Sequence, residues 1–101
     1  SKRMRGILWT MDASAVPTVT ANDLLEEKRK SKERIKDQIA KFRKKFKLPA
    51  PKEYQIGWQM YFEWEELYIM LPIYPYGFGK CVAASGSQMA HTEAMWKFLD
   101  Q

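Results

Sequence analysis

Between Tyr54 and Trp64 the chain reads YQIGWQMYFEW, and every second residue is large and apolar. A period of two is the repeat of a strand, whose successive side chains point to opposite faces; a helix repeats its apolar positions every three or four residues. The run therefore predicts an eleven-residue strand carrying Tyr54, Ile56, Trp58, Met60, Phe62 and Trp64 on one face. Glu65-Glu66 marks a tight turn, after which Leu67, Ile69, Leu71 and Ile73 alternate as a second strand. Pro72 cannot donate to a ladder, so that strand lies at an edge or ends there. Pro75 to Gly79 turns again, and a short third strand runs from Phe78 or Lys80 to Ala84. Together these make a three-stranded antiparallel meander.

Helices flank it. Thr20 or Asn22 can cap the first one, and Asp23, Glu26 and Glu27 suit the positive end of its dipole. Pro49 stops it after the run KFRKKFKL. Ile35, Ile39, Phe42 and Phe46 fall at spacings of four, three and four, a single stripe for packing on a sheet. The stripe covers only the second half, so the charged turns from Leu25 to Arg34 are expected to protrude. Ser85 or Ser87 caps a last helix reaching Leu99, in which Ala90 and Ala94 permit close approach to the sheet. The expected class is two-layer α+β, in the order α-β-β-β-α. Residues 1–21 read as an extended N-terminal tail, and 22–101 as a single domain with a basic helix over 22–48.

Charge divides this domain. Residues 22–48 hold eleven Lys/Arg against five acids, a net of +6, whereas residues 49–101 carry only Lys52, Lys80 and Lys97 and are mildly acidic. A polyanion would meet the first part. Lys28, Arg29, Lys30, Lys32, Arg34, Lys36, Lys41, Arg43, Lys44, Lys45 and Lys47 are the candidate phosphate contacts, and each phosphate they neutralise would release counterions. Phe42 and Phe46 belong to the packing stripe, so this helix is expected to touch backbone and not to stack on bases. Tyr61, Tyr68, Met70 and Tyr74 make the other sheet face unusually apolar, which marks a protein interface. Ile7 and Trp9 in the tail are expected to dock on a neighbour.

Other classes find little support. One cysteine and one histidine provide neither a disulfide framework nor a His-rich metal set. Cys81 reads as a small apolar strand residue, His91 has no carboxylate placed beside it, and Gly77-Phe78-Gly79 is a turn without a nucleotide fingerprint. No catalysis, cofactor or metal is expected, and no apolar run is long enough to span a bilayer. An intracellular location is expected, and the Arg-rich, acid-poor start raises a mitochondrial one.

The element order resembles that of a double-stranded RNA-binding domain, over roughly residues 35–101. The family's last helix opens on a Lys-Lys-x-Ala-Lys motif followed by paired alanines and a leucine. Ala90-His91, Ala94-Met95 and Leu99 match the alanine and leucine spacing. Its lysine pair falls here on Ser87 and Gln88, its next lysine on His91, and its loop between the first two strands on the acidic Trp64-Glu65-Glu66. The resemblance thus implies a degenerate member that keeps the packing residues and lacks the phosphate clamp.

Two functions fit these observations. One is a non-catalytic structural component of a ribonucleoprotein, ribosomal or organellar-ribosomal in kind, with the basic helix on the RNA backbone and the sheet on protein neighbours. The other is a non-catalytic accessory subunit of a protein assembly, such as an organellar respiratory complex, without nucleic acid.

Overall fold

A computed structural model describes residues 20–100. Ile7, Trp9 and almost all of the expected tail lie outside the described residues. Helix α1 runs Ala21–Phe46. Thr20 caps it: its hydroxyl accepts from the Asp23 amide at 3.1 Å, and the Asp23 carboxylate accepts from the Thr20 amide at 3.3 Å. This reciprocal box satisfies two of the amides that a helix start leaves unpaired. Lys47 ends the helix in the left-handed conformation, φ 56°, two residues ahead of Pro49.

Four antiparallel strands follow in the spatial order β1-β2-β3-β4: Lys52–Ile56, Gln59–Trp64, Leu67–Pro72 and Cys81–Ala84. The expected count of three is corrected to four, because the long alternating run is itself a hairpin. Gly57, at φ 58°, and Trp58 form a two-residue turn, and Ile56 pairs with Gln59. Glycine adopts that backbone without the steric cost that other residues meet. The reversal has a second effect. Cross-strand partners share a face, and Tyr54 pairs with Tyr61. Tyr54 and Ile56 therefore lie on the side opposite Met60 and Phe62, with which the alternation had grouped them.

The helices cover the face bearing Met60, Phe62, Leu67, Ile69 and Leu71, all buried. Ile35, Ile39 and Phe42 enter from α1, as their spacing predicts, and Phe46 packs at the margin. Phe42 is fully buried, with ring centres 4.8 Å from Phe46 and 6.0 Å from both Trp64 and Phe98. Burial of one such side chain stabilises the fold by about 1.5–3 kcal/mol. Contact reaches further back along α1 than expected. Ser31 is buried and accepts from the Tyr74 amide at 2.8 Å, while Lys28 is half-buried against Trp58.

The last helix also departs from expectation. A 3₁₀ turn, Gly86–His91, precedes an α2 of only eight residues, Thr92–Leu99. Ala90 and Ala94 are exposed; Met95 and Leu99 are the buried residues, with Phe98 packed beside them. A 3₁₀ turn advances three residues per revolution against 3.6 in an α-helix, so the four-residue spacing from Ala90 to Ala94 does not hold one face across the junction.

Candidate nucleic-acid interface

The ten basic residues of α1 and Lys47 at its C-cap do not share one environment. Arg29 is clamped between Glu26 at 2.8 Å and Glu33 at 2.6 Å. Its hydrogen bonds hold the Glu26 carboxyl below the usual carboxylate range. Lys36 reaches to 4.0 Å from Glu53, and the Lys28 ammonium sits 4.8 Å from the Trp58 ring centre. Lys32 and Arg43 are half-buried. Lys30, Arg34, Lys41, Lys44, Lys45 and Lys47 are exposed, and among the described residues none has a carboxylate oxygen within 4.0 Å.

Spacing turns part of this last set into a surface. Lys30, Arg34, Lys41 and Lys45 follow one another at four, seven and four residues and so line one side of α1. The ridge extends about 22 Å at 1.5 Å per residue. Asp37 interrupts it midway, on the exposed surface between Arg34 and Lys41. Cations on such a ridge can neutralise phosphates, and phosphate contacts fix register without carrying sequence information.

The start of the C-terminal helical segment offers no such grip. Glu66, in the β2–β3 turn, accepts from the Ser87 amide at 3.2 Å and from the Ser87 hydroxyl at 2.7 Å. A carboxylate of the chain itself thus occupies the amide that a phosphate at this point would need. His91 is exposed at the far end of the 3₁₀ turn, and Cys81 pairs with Met70 across β3 and β4.

The helix-free sheet face carries Tyr54, Tyr61, Tyr68 and Met70, all partly exposed. Tyr54 stacks on Tyr61 with ring centres 4.9 Å apart and planes 9° from parallel; Tyr61 lies 6.3 Å from Tyr68. The Tyr54 hydroxyl donates to the Glu63 carboxylate, and that bond pushes the phenol up to about 12. Loss of hydration raises Tyr68 above its ordinary value too. Sequence reasoning found Tyr61, Tyr68 and Met70 but missed Tyr54, because the glycine turn that moves it across the sheet sits inside an unbroken alternation. Tyr74 does not join this group. It lies in the loop after β3 and is 64% exposed.

Compared with known proteins, the chain matches no family model, no curated protein and no solved structure. Among the described residues no helix is long and apolar enough to cross a membrane.

Proposed function

We propose that this chain is a non-catalytic structural component of a ribonucleoprotein, of the ribosomal or organellar-ribosomal kind. The observation that carries the reading is the ridge Lys30, Arg34, Lys41 and Lys45, four exposed cations on one side of a capped helix with no carboxylate partner within 4.0 Å among the described residues. Exposed like charges repel one another, and a polyanion turns each into a favourable contact and releases its own counterions. The ridge lies on RNA backbone, and the tyrosine face meets protein neighbours through Tyr61, Tyr68 and Met70. The chain then acts as a degenerate relative of the double-stranded RNA-binding domains, with the grip moved from the last helix to the first. A mitochondrial location agrees with this role.

The test is binding to a labelled RNA duplex across a salt series. Replacing Lys30, Arg34, Lys41 and Lys45 by glutamate should abolish binding while the far-ultraviolet spectrum of the fold is retained. Single replacements should each lower the slope of log affinity against log salt by about 0.7–0.9. If the four-fold variant bound like the parent, the ridge would be a solvated charge run. The second reading, an accessory subunit of a protein assembly, would then take over, favoured by the stacked tyrosines of the open face.

A further inference from the structure

Exposed apolar side chains gather at one end of the sheet. The β1–β2 turn carries Trp58, next to Ile56, which is 62% exposed. Beside it runs the β3–β4 loop, where Tyr76 and Phe78 are 56% and 95% exposed. Tyr76 meets Trp58 edge-on with ring centres 5.1 Å apart. Rings left in water are commonly carried on slack loops, but this one is braced from beneath. The buried side-chain amide of Gln59 accepts from the Phe78 amide and donates to the Gly79 carbonyl at 3.2 Å. Buried Ser31 holds the Tyr74 amide, and the amides of Tyr76 and Gly77 both donate to the Ile73 carbonyl at 3.1 Å. Any side chain at Gly77 would run into Pro72. The backbone that presents Tyr76 and Phe78 is therefore fixed before anything binds, and less ordering entropy opposes a ligand.

The charge that reaches these rings is that of Lys28, over Trp58. Segment 73–80 contains no carboxylate, and its single ionic residue, Lys80, turns away to pair with Asp100 at 2.8 Å. Lys28 continues from Trp58 into a cleft of about 470 Å³ lined also by Leu25, Lys32, Lys36, Gln55 and the paired Arg29 and Glu33, with Glu53 4.0 Å from Lys36. Lys28, Lys32 and Lys36 succeed one another by four residues, about 6 Å per step. A row of cations leading to exposed rings fits a ligand that is itself a row of anions bearing flat, stackable groups. A duplex keeps its bases inside and cannot use the rings. An apolar protein surface would take Lys32 out of water with no anion to meet it.

We infer that this end of the molecule binds unpaired nucleotides of RNA: Lys28, Lys32 and Lys36 along the phosphates, Tyr76 and Phe78 against the bases. The inference rests on the ribonucleoprotein reading and narrows its ligand to RNA with a single-stranded stretch beside the segment held by the ridge. Because every base has a π-face, the site accepts unpaired bases without strong sequence preference.

The experiment compares a labelled oligouridine with a labelled duplex, using the parent chain, a Tyr76→Ala/Phe78→Ala variant and a Tyr76→Phe variant. Phe78 is almost fully exposed and Tyr76 loses only its edge contact with Trp58, so the thermal midpoint should fall by no more than a few degrees and report an intact fold. Loss of stacking should weaken oligouridine binding about ten-fold or more. Duplex binding and the salt slope should not change, since no charge is removed, and Tyr76→Phe should bind like the parent. Equal binding of oligouridine by the alanine variant and the parent would overturn the inference. So would an equal weakening of both RNAs, or a variant whose only defect is loss of a protein partner. A parent that binds duplex but not oligouridine would overturn this site and leave the ribonucleoprotein reading standing. Binding to neither would sink both.

Discussion

Helices α1 and α2 cover the same face of one sheet, and they reach it in different ways. α1 starts on a reciprocal cap at Thr20 and Asp23, keeps α-helical pitch for 26 residues, and lays Ile35, Ile39 and Phe42 into the core at the spacing its sequence announces. α2 is entered through a 3₁₀ turn, lasts eight residues, and packs with Met95 and Leu99 while Ala90 and Ala94 face out. A stripe of residues names a buried face only where one pitch holds along its whole length. It held in α1. At the entry to α2 the pitch changes between Ala90, in the 3₁₀ turn, and Ala94, and the larger side chains fill the space.

Core truncations put the largest strain on this comparison. Phe42→Ala should cost about 3–5 kcal/mol and Met95→Ala about 2–5 kcal/mol, read from chemical denaturation. A Met95→Ala variant as stable as the parent would mean that α2 only rests on the sheet. Ala94→Leu sharpens the contrast from the other side: the position is exposed, so stability should stay within about 0.5 kcal/mol of the parent. A cost of 1–3 kcal/mol, the usual effect of overpacking, would return Ala94 to the interface. The smallest effect belongs to the sheet. In an ultraviolet pH titration Tyr54 should ionise late, near pH 12, and Glu63→Gln should bring that step down toward the ordinary tyrosine value. An unchanged titration would place Tyr54 away from Glu63.

Much of the architecture was legible. Pro49, the stripe from Ile35 to Phe46, the Glu65-Glu66 turn and the alternation from Leu67 to Ile73 each pointed to the element that forms. The hairpin at Gly57-Trp58 was not legible, because a two-residue turn leaves the apolar-polar rhythm unbroken while it reverses the chain, and only the glycine hints at it. For the candidate interface, composition located the charged helix but not its usable side. That depends on where Glu26, Glu33 and Glu53 fall in space, and on Trp58 arriving beneath Lys28. Tyr76 and Phe78 passed unnoticed because turn residues obey no periodicity.

The carboxylate of Glu66 behaves as a tethered competitor. Held on a short turn against the Ser87 amide, it is present at an effective concentration of order millimolar or above, and an external phosphate would have to displace it from solution. Lysines introduced at Ser87 and Gln88 would meet this internal anion before any RNA. A phosphate grip on the last helix would therefore also require a change at Glu66, two strands away in sequence.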